Sequence, residues 1–143
     1  CYALDLPLIA INTLDAMANG MNAGSNDLLV PMIDARRMEV YSAVYDQQKN
    51  RLSEPQAIVV DENYYSTFRD KQKLLLGGDG ADKCRELFKT DQGMEIQEGF
   101  MPQAEFMAEL AEQKFKNSEF ENVALFEPFY LKEFVAGPKK QTF

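Results

Sequence analysis

No histidine occurs anywhere in the 143-residue sequence, so the commonest general base and the commonest metal ligand are both missing. The two cysteines, Cys1 and Cys84, stand far apart and in no metal-like spacing, which reads as two reduced thiols in a reducing cytosol. No Ser or Cys has a nearby base in sequence, so nucleophilic hydrolysis has no support. Carboxylates such as Glu119, Glu121 and Glu127 could work as a hydrolytic pair, but nothing in their spacing brings two together, and a solvated acidic face explains them better. Two other groupings remain. Gly77-Gly78-Asp79-Gly80 is a glycine-rich turn of the kind that lets backbone amides approach an anion or nucleotide. The plainer reading, a tight strand-to-helix connection with Asp79 as the cap, weighs more, because lone glycine turns often occur without a ligand. Asp34, Arg36, Arg37 and Glu39 crowd one short turn, either as a local ion-pair cluster worth little at a surface or as a recognition surface, since Arg suits bidentate contact with carboxylate or phosphate.

These groups need elements to hold them. Leu28 to Asp46 reads as two antiparallel strands joined near Asp34-Ala35-Arg36-Arg37. After the turn, Val40, Ser42 and Val44 alternate with Glu39, Tyr41, Ala43 and Tyr45, the period of a pleated strand. Pro31 cannot donate a ladder hydrogen bond, which predicts an edge or a bulge there. Gln56 to Val60 is a third strand, completing a meander. Leu74-Leu75-Leu76 does not alternate with polar residues, so both faces are expected to be covered, as in a central parallel strand. Met94 to Gln97 is a further short strand. Pro7 to Ile11 reads as a buried strand. Asn12 caps the helix that follows, with Asp15 as a weak capping box and Leu14, Met17, Ala18 and Met21 on its apolar face. Asn22 to Asn26 is a loop and the one candidate domain boundary. Later helices follow Asp61 (face Tyr64, Tyr65, Phe68), Asp79 (face Ala81, Cys84, Leu87, Phe88) and Pro102 (face Phe106, Met107, Leu110, Ala111). From Leu28 the order is strand, strand, strand, helix, strand, helix, strand, helix. A meander feeding right-handed parallel crossovers is an α/β arrangement of the ribonuclease-H-like kind. The tail from Val123 is too apolar to be a free linker. Its first half is expected to pack on the domain, and its end, from Gly137, to fray.

Composition bounds the rest. Hydrophobic content of 45% with 27% charged residues marks an ordinary globular protein. No apolar run approaches bilayer length, and the first residues have no signal-peptide pattern. The formal charge of −8 argues against gripping nucleic acid, because that affinity comes from neutralising phosphates. The chain does not begin with Met and is expected to be a piece of a longer protein.

Four stretches together resemble one family: LPLIAINTLDAMA (Leu6 to Ala18), LLVPMIDARRMEVYSAVYD (Leu28 to Asp46), LLLGGDGA (Leu74 to Ala81) and EPFYLKEF (Glu127 to Phe134). They are similar to the C-terminal two thirds of the TsaB (YeaZ) family, once labelled glycoprotease-like, in the actin-like ATPase superfamily. The resemblance implies that residues 1–22 are a strand and helix left from the first lobe. It makes residues 28–117 the second ribonuclease-H-like lobe and residues 123–143 a tail on that lobe. Family members are similar in role: they pair with a catalytic paralogue, TsaD, and an ATPase, TsaE. That assembly places threonylcarbamoyl on adenosine 37 of transfer RNA. In the catalytic paralogue a His-x-x-x-His metal motif directly follows a strand resembling Pro7 to Ile11, and those two positions are Thr13 and Met17 here. Neither is a credible ligand for a hard or borderline cation, so no metal, no cofactor and no catalytic residue is expected.

The expected function is therefore a non-catalytic, cytoplasmic scaffold subunit that docks on the TsaD-type partner, with no membrane and no direct nucleic-acid contact. Gly77, Gly78 and Gly80 are the candidate nucleotide contacts, and Asp34, Arg36, Arg37 and Glu39 the candidate interaction surface. The rival is an enzyme, either an actin-like ATPase or phosphotransferase using the glycine turn or a glycoprotease-like hydrolase. Self-association is a further expectation, because an apolar strand at Pro7 to Ile11 without its sheet would seek another copy.

Overall fold

Leu74, Leu75 and Leu76 divide between two hydrophobic cores, and the rest of the chain is layered accordingly. In the computed structural model, which describes residues 1–61, 68, 72–88 and 93–132, these leucines form the strand β5 (Leu74–Gly77). Leu74 and Leu76 face one side of the sheet, with Leu28, Val30, Met32, Val40, Val44 and Ile58. Leu75 faces the other side, with Leu29, Ala43 and Tyr45. Successive side chains of a strand point to opposite faces, so a run of three leucines can serve two layers at once.

The sheet order is β4-β2-β1-β5-β6, from β1 (Leu28–Asp34), β2 (Glu39–Ser42), β4 (Gln56–Val59), β5 and β6 (Met94–Gln97). The short β3 (Tyr45–Asp46) also pairs with β1. β2 runs antiparallel to both β1 and β4, while β5 lies parallel to β1 and β6. The antiparallel meander and the parallel extension expected from the sequence are both present.

Pro31 falls in the sheet interior and not at an edge, since β1 is flanked by β2 and β5. Its missing N–H is accommodated in the partner strand. The pairing to β1 stops at Ser42 and resumes at Tyr45 in the same register, which divides the expected second strand into β2 and β3. The Ser42 hydroxyl donates to the Pro31 carbonyl at 2.9 Å, closing the gap.

Helix α1 (Thr13–Gly20) covers the Leu75 face. Asn12 caps it as expected, its side chain accepting from the Leu14 amide at 2.9 Å. Asp15 turns away to Tyr45 and Arg51, so the expected capping box gives way to a tertiary contact. Leu14, Met17, Ala18 and Met21 are buried as the helical stripe predicts. On the opposite face lie α2 (Asp79–Lys83) and α3 (Arg85–Phe88), which bring Ala81, Cys84 and Phe88 into the other core. The cap position of α2 is Gly78; Asp79 is its first residue and makes a different contact, described below.

Two further expectations fail. Pro7 to Ile11 is no strand. It makes a single bridge, Leu8 with Glu121, and its residues stay exposed or half-buried. Both edges of the sheet, β4 and β6, lie elsewhere, so the segment has no ladder to join. The helix after Pro102 begins with a 3-10 turn (Ala104–Met107) and continues as α4 (Ala108–Lys116). Its stripe is only half-buried, and Met107 is exposed, because α1 already covers this face and α4 lies at its flank. Phe106 stacks on Phe100 at 5.4 Å, and its carbonyl accepts from Asn19 at 3.0 Å. In the tail, Leu125, Phe129 and Tyr130 are well exposed, while Phe126 and residues 128–132 line a groove with Ile33, Tyr41 and Pro55, and Lys132 pairs with Glu39. The expected helix after Asp61, apart from Phe68, which packs on the core, and the end of the tail lie outside the described residues.

Candidate functional site

The two groupings singled out in the sequence meet in space. β1 ends at Asp34 and β5 at Gly77, and because the strands are parallel both ends open on the same edge of the sheet. In open α/β sheets this carboxyl edge is where ligands collect. The Asp79 carboxylate bridges the two turns: its Oδ1 accepts from the Asp34 amide and from the Gly80 amide, both at 2.9 Å.

The hairpin tip between β1 and β2 is built on backbone that L residues rarely adopt. Arg36 has φ of 72° and Arg37 φ of 52°. Consecutive positive φ values match the right-handed twist of a hairpin, but Asn-Gly is the sequence that adopts them cheaply. Left-handed backbone costs a non-glycine residue about 1–2 kcal/mol. The tip is held by the Asp34 carboxylate, which accepts from the Arg36 amide at 2.7 Å, and by Ala35 N–H to Glu39 O at 3.0 Å. The Lys83 ammonium donates to Asp34 and, at 2.8 Å, to the Glu39 carbonyl. Lys83 and the Arg36 amide together hold the Asp34 carboxyl below its ordinary range. Lys132 pairs with Glu39. Both acids of the grouping therefore carry a cation partner. The Arg36 and Arg37 side chains make no hydrogen bond or ion pair among the described residues.

The glycine turn is closely packed. A Cβ on Gly78, whose φ is 114°, would sit 2.2 Å from the Met32 carbonyl oxygen and 2.7 Å from Met17 Cε. One on Gly80 would meet the Met32 backbone at 3.0 Å, and one on Gly77 would meet Met21 and Phe100. The Gly78 carbonyl accepts from the Ala81 and Asp82 amides. Here the glycines let α2 press against β1.

A second cluster escaped sequence reading. Asp15 on α1 accepts the Tyr45 hydroxyl at 2.7 Å and two donors of Arg51, at 3.0 and 2.6 Å. The bidentate pairing holds the guanidinium proton more tightly than usual. Tyr45 is 1% exposed, and burial, with the Asp15 carboxylate, drives its phenol far above the ordinary tyrosine range. A sequence separation of 36 hides the pair; the one signal is an acid on a helix whose other inward positions are apolar. The cluster borders a polar groove of about 570 Å³ that also touches Asn12, Lys49, Lys114 and Glu119. Lys49 and Lys114 spend their ammonium groups on the Met21 and Ala10 carbonyls.

At the two positions where metal ligands were weighed, Thr13 is exposed on the first turn of α1 and Met17 is fully buried in the core. Among the described residues no group of three or more Cys, Asp or Glu could hold a metal, and no helix is long and apolar enough to cross a membrane.

A five-strand mixed path extended in parallel from a meander, with helices on both faces, is a ribonuclease-H-like fold. A family model described as "TsaD: tRNA N6-adenosine threonylcarbamoyltransferase" matches residues 1–139. The tRNA threonylcarbamoyladenosine biosynthesis protein TsaB of Escherichia coli (strain K12) is 31% identical over 143 residues, covering 94% of this chain and 61% of its own. Two Pseudomonas aeruginosa structures share the fold at 21% identity. One, a protein with similarity to peptidase YeaZ, has a TM-score of 0.74 over 92% of this chain and 62% of its own. The other, YeaZ, has a TM-score of 0.67 over 91% and 62%. The chain belongs to this TsaD-like family, within its TsaB (YeaZ) group. It spans about three fifths of the length of the relatives it matches.

Proposed function

We propose that the protein is a non-catalytic, activating subunit in the formation of threonylcarbamoyladenosine at position 37 of transfer RNA, docking on a TsaD-type catalytic partner. Residues 28–117 act as its second lobe, residues 1–22 belong to the first, and the tail lies along the second. One observation carries the reading. In a chain of this family, the two positions that the resemblance aligns with metal ligands are Thr13, exposed on the first turn of α1, and Met17, which α1 buries in the core. A buried thioether offers a hard cation nothing, so the chemistry falls to the partner. The subunit then contributes by stabilising the partner's active arrangement, a shift that requires tighter binding to that arrangement than to others. A TsaE-type ATPase completes the assembly in the cytoplasm.

The rival, nucleotide chemistry at the glycine turn, draws less support. The space beside Gly78 is taken by Met32 and Met17, the Gly80 amide donates to Asp79, and the Gly78 carbonyl accepts from the Ala81 and Asp82 amides. The test is co-purification of full-length protein with its TsaD-type partner, followed by transfer-RNA modification with and without it. Association and a dependent rate are expected. Full modification in its absence would remove the role, and micromolar ATP binding with turnover by the isolated protein would favour the rival.

A further inference from the structure

We propose that the hairpin tip Arg36-Arg37, with Met38 and Val59 beside it, is a docking patch for paired carboxylates on the surface of a partner protein. The inference rests on the assembly role proposed above and adds a site to it.

Charge is the first ground. The chain carries 23 acidic residues against 15 basic ones, so a cation has many possible partners. At the tip, Lys83 answers Asp34 and Lys132 answers Glu39. Arg36 and Arg37 are left as two adjacent exposed guanidinium groups with no partner among the described residues. Backbone is the second ground. Both residues hold positive φ, where asparagine and glycine would hold the turn with less strain. A strained turn made from two residues whose side chains touch nothing points to a use outside the fold. Surroundings are the third. Met38 is 43% and Val59 67% exposed, and the Val60 amide donates to the Met38 carbonyl at 2.9 Å, fixing these apolar groups next to the arginines. Arg and Met are enriched in the cores of protein interfaces. Val59 also stands on β4, an edge strand of the sheet.

A protein surface fits better than a polynucleotide. Two cations neutralise only two phosphates, which gives weak affinity and a shallow salt dependence. The rest of an RNA backbone would run on over a chain of net charge −8. A compact pair of carboxylates meets only the tip, and each guanidinium can grip one bidentately.

The test measures association of full-length protein with the TsaD-type and TsaE-type partners, separately and together, by calorimetry at low and high salt. The variant R36N/R37G removes both charges and supplies the residues this turn favours, so its melting temperature should equal or exceed that of the wild type. Association with one partner should weaken by about tenfold or more and lose salt sensitivity, with R36K/R37K in between because lysine keeps charge but not the fork. Unchanged affinity for both partners would overturn the docking patch while leaving the assembly role intact. Failure of the wild type to bind either partner would remove the assembly role and this inference with it. A loss confined to RNA binding would assign the tip to phosphate and also overturn it.

Discussion

The Asp79 carboxylate accepts a 2.9 Å hydrogen bond from the Asp34 amide, 45 residues away, and so ties the end of β1 to the start of α2. The same oxygen takes the Gly80 amide, which makes one side chain the joint between the hairpin tip and the glycine turn. Asp79→Ala leaves two amides to water. We expect a loss of about 1–2 kcal/mol in urea unfolding, and a smaller one for Asp79→Asn, whose carbonyl oxygen can still take both amides but without the charge.

Gly78 and Gly24 separate two costs of adding a methyl group. Both have positive φ, but Gly24 has nothing within 4 Å of a new Cβ, whereas Gly78 faces the Met32 carbonyl at 2.2 Å. Gly24→Ala should cost about 1 kcal/mol from backbone strain alone. Gly78→Ala must also push β1 away from α2, and a loss above about 3 kcal/mol is expected. Equal midpoints for the two variants in urea would show that α2 is not pressed on β1.

The Asp15–Tyr45–Arg51 cluster predicts alkaline sensitivity. The Tyr45 phenol is raised in the folded protein, so above an unfolded tyrosine pKa of about 10 the unfolded chain releases a proton that the folded chain retains. Stability is therefore full below that pH and falls above it, by up to about 1.4 kcal/mol per pH unit for one group. Tyr45→Phe should flatten this slope at a cost of about 1 kcal/mol near neutrality, read from urea curves at several pH values. A double-mutant cycle with Arg51→Ala should give non-additive losses, because both side chains use the same carboxylate.

The two thiols should react very differently. Cys1 is exposed, while Cys84 is fully buried and burial pushes its thiol up. A thiol reagent should label Cys1 at once and Cys84 only as the domain opens, so labelling of a Cys1→Ser variant measures opening. Rapid labelling of Cys84 in native buffer would contradict its place between the sheet and α2.

Local chemistry made the sheet legible. Period-two alternation from Glu39 to Tyr45, the turn at Asp34 to Arg37 and the unbroken leucines of β5 each fix a strand by side-chain direction alone. The stripe Leu14, Met17, Ala18 and Met21 does the same for α1. What failed needed neighbours. Pro7 to Ile11 is as apolar as a strand should be, but strand formation requires a ladder, and the sheet edges are β4 and β6. At the site, the charged residues could be picked out by type. Their meeting through Asp79 depends on β1 and β5 being parallel and in register, which is a property of topology. The Asp15–Arg51 pairing lay out of reach for the same reason.

The alternating leucines of β5 leave the molecule with two compartments that have no side chain in common. The two sides come together at the Gly78 turn, where Met17 of α1 lies against the cap position of α2. A change of side chain at Met17 would therefore be felt first at the glycine turn, ahead of the hairpin tip that Asp79 ties to it.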